Sequence, residues 1–562
     1  MQMDWTTSCV DWKARLIEGR SIIPAPIFPD QADQALAIFK QLRVVDLPGQ
    51  PTFGECCEQW VFDFAAAIFG AYNEETGQQL IREFYLLISK KNTKSTIAAG
   101  IMLTAVILCW RQDEEHLILA PTKEVADNSF KPAAGMVRAD PELLALFHVQ
   151  DHMRTITHRQ TGASLKVVAA DTDTVSGKKS GRVMIDEHWV FGKRANADAM
   201  FMEALGGQVS REEGWVIYLT TQSDDPPAGV FREKLNYFRD VRDGIVVDRK
   251  SLGVLFEFPQ EMIDAKCYLE RENFKITNPN LGKSVSAEWL EDQIRKMRHK
   301  TDGSFQKFLA KHLNVEIGMN LRSDRWAGAD LWQDQETATV TLDYMLEHCE
   351  VIDVGIDGGG LDDLLGMAVV GRVRATREWL AWIHAWAHPI VLERRQEIAP
   401  RLRDFESDGD LTIVVQIGED VGEVAEIVAR IEGAGLLDKV GVDPAAIGAI
   451  LDAMEEAGVP AEKVVGISQG WKMTGAIKTA ERKLAEGSLL HAAQPLMTWC
   501  VGNAKTELRG NATIITKQAA GTAKIDPLMA LFDAISLISL NPEPPSAGVG
   551  GVLPDDYAVM TA

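Results

Sequence analysis

The sequence predicts an α/β chain of two domains, the first built on a parallel-type sheet and the second on a mixed one. Three observations carry that expectation. Between Phe84 and Gln222 short apolar runs alternate with helical stretches, the pattern of strands joined by covering helices. From Cys349 onward three apolar runs follow one another as in an antiparallel meander, and later ones alternate with helices. At 562 residues the chain is also too long for one hydrophobic core.

Taken in order, "MQMDWTTSCVDWKARL" carries an early acid and no apolar run, so no signal peptide is expected, and residues 1–55 read as an N-terminal extension. The first domain is expected over 56–340. Its strand runs are "FYLLIS", "HLILAP", "SLKVVAA", "GRVMIDE" and "WVIYLTTQ". The run "TIAAGIMLTAVILCW" falls short of the roughly 20 apolar residues of a membrane span and reads as a buried helix. A charged, helical region follows "WVIYLTTQ", with a linker over about 285–340 and a boundary near 335–350. The second domain, 345–540, opens with "CEVIDVGIDGGG", "LLGMAVVGRV" and "REWLAWIHAWA", then adds "LTIVVQIG" and "LDKVGVDP". Residues 541–562 are Pro/Gly-rich and are expected to form a flexible tail.

Composition narrows the class. Hydrophobic content of 46% and charged content of 25% are those of a globular protein. Seven cysteines lie without metal-binding spacing, which suggests reduced thiols and no zinc. The net charge of −23 argues against a nucleic-acid partner unless a local groove is basic. Two segments offer one, Arg295–His312 and Trp471–Lys483, although each also reads as a solvated helix face.

The stretch "LLISKKNTKST" (Leu86–Thr96) looks like a strand entering a phosphate-binding loop, yet it contains no glycine. Against G-x-x-x-x-G-K-[ST], Lys94-Ser95 fit the end, while Ile88 and Thr93 occupy the glycine positions. It is either a lysine-rich helix start or a degenerate nucleotide site. In the second case the loop lies at a helix N-terminus, where dipole and free N–H groups favour anions. Lys94 would reach the β- and γ-phosphates and Ser95 a magnesium ion. Downstream, Asp186-Glu187 end an apolar strand, where one carboxylate can hold Mg²⁺ and the other orient the attacking water.

A second set of acids lies in the later domain: Asp357 ending "VIDVGID", then Asp362-Asp363, Asp443 ending "KVGVD", and Asp526 opening "DPLMALFDAIS". Two-metal phosphodiester cleavage needs carboxylates converging from separate segments. Asp357 and Asp443 also read as turn formers, and Asp526 as an ordinary cap before Pro527.

Together these motifs resemble the large terminase subunit of tailed bacteriophages. That family's deviant phosphate loop, often S-R-K-N-G-K-S/T, is matched by Ser89, Lys90, Lys91, Asn92, Thr93, Lys94 and Ser95, with Thr96 following. Thr93 stands for the usual glycine and Lys90 for the usual arginine. "APTKEVADNSF", "TVSGKKSGRVMIDEHW" and "LTTQSD" follow the family order, and Gln59 falls where the family has a glutamine near adenine. Gln59 equally fits a packing helix. Arg211 precedes the strand "WVIYLTTQ" and is a candidate for an arginine offered to a neighbouring subunit's site, or for a surface partner of Glu212 or Glu213. The resemblance implies an ASCE-type P-loop ATPase domain followed by a ribonuclease-H-like nuclease domain. It further implies ATP with Mg²⁺, Mn²⁺ being an alternative at the nuclease site, and Asp357, Asp443 and Asp526 as its metal-binding acids. The implied partners are double-stranded DNA, the procapsid portal, a small terminase subunit and further copies in a ring, in the host cytoplasm and transiently on the procapsid. Two other readings remain at this point. One is a helicase-like translocase without an active nuclease, the other an assembly scaffold with a decayed nucleotide site.

Overall fold

Strands buried on both faces read as near-continuous apolar runs, and the strands at the centre of the first unit are apolar through their middles, with polar residues towards their ends. The sheet contains β1 (Glu83–Leu87), β2 (Glu115–Ala120), β3 (Phe147–Gln150), β4 (Thr155–His158), β5 (Ser164–Ala169), β6 (Arg182–Asp186), β7 (Trp215–Thr220) and β8 (Ser251–Leu255). Its order is β8-β1-β7-β6-β2-β5-β4-β3, parallel as far as β5, with β4 and β3 added antiparallel at the edge. The computed structural model describes residues 5–170, 180–194, 196–298, 304–317, 326–443, 447–509, 512–517 and 524–545. It divides into two units, 1–317 and 318–562.

All five strands expected in the first domain form. Among the described residues three more strands of this sheet were not foreseen: β3 and β4 are short, and β8 hides among charged helical segments. Helices α1 (Gln59–Phe69), α2 (Lys94–Ile107), α3 (Lys123–Ala139), α4 (Gly229–Asp243) and α5 (Ser304–Leu313) belong to the same unit. Residues 5–55, expected as an N-terminal extension, fall within the first unit. Phe39 and Phe53 are buried against α2 so tightly that a Cβ on Gly100 would lie 2.9 Å from the Phe39 ring. Apolar burial makes the segment part of this unit.

The second unit is a mixed sheet of β9 (Glu336–Thr337), β10 (Cys349–Gly358), β11 (Leu364–Val373), β12 (Trp379–Ala387), β13 (Leu411–Ile413), β14 (Leu437–Val442), β15 (Val464–Gly466) and β16 (Leu489–Ala492). β10, β11 and β12 are the expected antiparallel meander, and β14 and β15 extend it in parallel beside β10. Helix α6 (Thr474–Ala485) and the buried α7 (Asp526–Ile538) belong to this unit. α7 lies so close on β10 that a Cβ on Gly355 would come 1.9 Å from the Ala530 carbonyl oxygen. The boundary falls before the expected 335–350. Trp326 and Trp332 are fully buried in this unit's core, and Trp326 meets the Phe532 ring edge-on at 5.2 Å. Two indoles needing burial pull the end of the expected linker into the second unit. Thr174–Lys179, within the expected approach to the acidic pair, lies outside the described residues, as do 299–303 of the first basic segment and the tail from 546.

Candidate functional sites

In a parallel sheet the carboxyl ends of adjacent strands open on one edge, where ligands bind. β1 leads there into the Ser89–Thr93 loop and α2, β6 ends at Asp186, and β7 ends at Thr220. Lys94, only 6% exposed, points its ammonium at the Glu187 carboxylate, Nζ to Oε1 3.3 Å. The Ser129 hydroxyl donates to Asp186 Oδ2 at 2.6 Å and the Glu187 amide to Asp186 Oδ1 at 2.9 Å. Burial and the adjacent Glu187 charge push the Asp186 carboxyl up to about 6. Burial also works to raise Glu187, but the Lys94 ammonium and the Trp189 indole N–H outweigh it and hold Glu187 below the usual range. Glu187 sits in the left-handed region at φ 49°, a conformation that costs a non-glycine residue backbone strain.

Of the loop residues, Lys90 and Lys91 are exposed, Asn92 is buried, and Ser95 and Thr96 are half-buried in the first turn of α2. The Ser89 hydroxyl is buried without a hydrogen-bond partner in the protein. Sequence reading missed Lys311. Its ammonium lies over the Trp189 ring and donates to the Gln222 carbonyl at 3.0 Å. It was grouped with a basic segment thought to face outward; the helical period of α5 turns it inward instead. Gln59 is exposed at the start of α1, its amide donating to Asp63 at 2.8 Å, next to Trp60, which bonds Asn280.

Arg211 pairs with neither of its expected acids. It precedes β7 and so lies at the opposite edge of the sheet from the Lys94 loop, roughly 20 Å away along a six-residue strand. Its guanidinium is committed to neither Glu212 nor Glu213 but to the buried Glu114, Nε to Oε2 3.1 Å. Arg111 pairs with Glu213 on the same edge at 2.6 Å. The cluster ties that edge together.

In the second unit the strand register decides the neighbours. Ile356 of β10 pairs with Val442 of β14 in parallel, so Asp357 and Asp443 leave their strands side by side. Asp526 opens α7 beside the next turn: a Cβ on Gly358 would be 3.3 Å from the Asp526 Cβ. Asp533 was missed. It lies two turns further along the same helix, and burial followed by the Asp357 and Asp443 charges pushes it up to about 9. The Gln469 amide donates to Asp357 Oδ1 at 3.3 Å and to both Asp533 oxygens at 3.4 Å. A buried acid in an otherwise apolar helix, seven residues after Asp526, was the available signal. Asp362 pairs with Arg395 at 3.2 Å, and Asp363 pairs with Lys524. Among the described residues no three His, Cys, Asp or Glu side chains are gathered closely enough to hold a metal ion.

The order of these two edges in one chain has a counterpart among known proteins. The family model described as terminase large subunit, ATPase domain, matches residues 60–240, and that described as terminase large subunit, endonuclease domain, matches residues 254–540. The chain belongs to the terminase large subunit family. It is an ATPase and an endonuclease of DNA packaging, and the nuclease-free and scaffold readings fall away. The large terminase subunit of Enterobacteria phage HK97 is 21% identical over 475 residues, 82% of this chain and 84% of that protein. The large terminase subunit of Lactococcus phage p2 is 20% identical over 483 residues, 83% of this chain and 84% of that one. The crystal structure of the HK97 large terminase, at 20% identity, covers 90% of this chain and 99% of that chain with a TM-score of 0.46. The endonuclease match begins at 254, whereas residues up to 317 pack with the terminase ATPase unit. Among the described residues no helix is long and apolar enough to cross a membrane.

Proposed function

We propose that this terminase subunit hydrolyses ATP at the Lys94–Glu187 edge to drive double-stranded DNA into a procapsid, and cuts concatemeric DNA at the Asp357–Asp443–Asp526 edge. The observation that carries the reading is the 3.3 Å approach of Lys94 to Glu187 at the carboxyl edge of a parallel sheet. Lys94, Ser89 and the loop N–H groups bind the nucleotide phosphates. Glu187 orients the attacking water, and Lys311 adds positive charge where charge develops on the γ-phosphate. Gln59 borders the adenine. Residues up to 317 form the motor and 326–540 the nuclease.

Hard carboxylate and hydroxyl oxygens suit Mg²⁺, with Mn²⁺ an alternative at the nuclease. Ser95 and Asp186 would hold it in the motor; in the nuclease Asp357, Asp443 and Asp526, which are not gathered closely enough here, would have to draw together around it. The like-charge crowding that raises Asp533 is of the kind a divalent cation relieves. When bound, the ion supplies charge neutralisation at phosphate oxygens. The partners are the portal, a small terminase subunit and further copies of the chain in a ring, in the host cytoplasm and transiently on the procapsid. Packaging of linear DNA into empty procapsids with ATP, by the full chain and by Lys94→Ala, tests the motor. Packaging by Lys94→Ala at the parent rate would refute it.

A further inference from the structure

A phosphate loop without glycine has to reach left-handed backbone by some other means. Lys91 and Thr93 adopt φ values of 74° and 59°. For a β-branched residue such as Thr93 that region is strongly disfavoured. Thr93 is also the residue from which α2 starts, so its conformation sets where the first N–H groups of the helix point. Left to local preference, the loop would relax out of this shape.

The restraint comes from a segment nearly two hundred residues away. The buried Asn280 donates its side-chain amide to the Asn92 carbonyl at 3.1 Å and to Thr93 Oγ1 at 3.2 Å. Its backbone N–H donates to Asn92 Oδ1 at 3.0 Å, and its Oδ1 accepts from the Trp60 indole at 2.8 Å. Asn278 accepts from the Asn92 amide at 2.9 Å, and that same amide reaches the Ser89 carbonyl at 3.0 Å. Ser284 donates to the Lys91 carbonyl at 2.7 Å. Asn92, Asn278 and Asn280 are all buried, so the bonds among them and to the Asn92 carbonyl are made away from competing water, while those to Thr93 Oγ1 and the Lys91 carbonyl lie nearer the surface. The side chains hold the carbonyl before Thr93 and its hydroxyl together, which are the groups that would move if φ relaxed.

We propose that Asn280, supported by Asn278, is a positioning residue that supplies the loop geometry glycine supplies elsewhere, and that ATP affinity depends on it through Thr93. This rests on the reading of Ser89–Ser95 as the phosphate loop. Asn280 does not face the nucleotide; it acts by holding the backbone that does. A group of this kind has a particular genetic signature: removing the strain it opposes should make it dispensable.

The test is titration of the full chain with a fluorescent ATP analogue and magnesium, alongside steady-state ATP hydrolysis and thermal melts. Asn280→Ala is expected to weaken nucleotide binding about tenfold while kcat at saturating ATP falls by less than about threefold. Thr93→Gly added to Asn280→Ala should restore affinity to within about threefold of the parent, because glycine enters the left-handed region without restraint. Asn280→Asp keeps the acceptor for Trp60 and the side-chain volume but loses the two donors; it should weaken binding in the same way, and it carries the test if the alanine variant does not fold. Affinity within about twofold of the parent in a folded Asn280 variant, while Lys94→Ala loses binding, overturns the proposal and leaves the phosphate loop standing. A double variant no better than Asn280→Ala also overturns it. Lys94→Ala with parental affinity removes the phosphate-loop reading itself, and the clamp with it.

Discussion

Lys311→Met separates what the motor site costs in stability from what it contributes to turnover. Burial brings the Lys311 ammonium down from 10.5 to about 7, against the upward pull of Asp224 and Glu187 and with the repulsion of Lys193 and Lys90. The unfolded chain keeps this proton up to about 10.5, while the folded chain releases it near 7. Between those values the unfolded state binds more protons, so stability rises with pH across the window and is lowest below 7. Each pKa unit is worth about 1.4 kcal/mol. Discounting for the part of the side chain that stays in contact with water and for the lost bond to Gln222, methionine is expected to gain about 1–3 kcal/mol at pH 6. The gain should shrink as pH rises above 7 and vanish only above about 10.5, where the unfolded chain also loses this proton. Turnover should move the other way. Loss of a preorganised cation beside developing phosphate charge costs about 10²–10³ in kcat. Urea unfolding of nucleotide-free protein at several pH values, together with DNA-stimulated ATP hydrolysis, measures both. The reasoning is refuted if parent and variant show the same dependence of unfolding midpoint on pH, or if kcat stays within about threefold.

Glu187→Gln keeps the shape of the side chain but cannot accept a proton; ATP turnover should fall about 10²–10⁴-fold with binding retained, and an equal loss of binding in equilibrium titration would contradict that role. Asp357→Asn should leave ATP hydrolysis and translocation of pre-cut DNA intact and abolish cleavage of circular DNA; full cleavage with divalent metal present would remove the nuclease assignment. Asp353, buried in β10 with one oxygen bonded to the Lys439 amide at 3.0 Å, is pushed by burial and the nearby Asp438 up to about 8. Its folded value lies above the unfolded one, so the stability it contributes is complete below about 4 and is lost as pH rises through about 8. Asp353→Asn, neutral throughout, should therefore melt increasingly above the parent between about pH 4 and 8, with the advantage levelling off above that, and a constant offset in melting temperature across pH 4–8 would argue against it.

Sequence by itself determined the two sheets, the order of the two chemistries along the chain, and the residues at strand ends. Central strands read as near-continuous apolar runs, and their ends must be polar where they meet a ligand, so both leave local signals. Lys94, Asp186, Glu187, Asp357 and Asp443 were legible for that reason. The place of Arg211 was legible too: a residue preceding a parallel strand stands at the far edge from one that follows its neighbour. Tertiary structure decided the rest. The indoles of Trp326 and Trp332 chose the second unit because its core received them. Asn280 reads as part of a loop until it is found folded against Asn92, 188 positions away. Lys311 reads as surface charge until α5 turns it onto Trp189, and Asp533 as an odd acid in an apolar helix until β10 and β14 deliver Asp357 and Asp443 beside it. Contacts between distant segments leave no periodicity in either partner, since each side chain is polar for a reason that lies elsewhere in the chain.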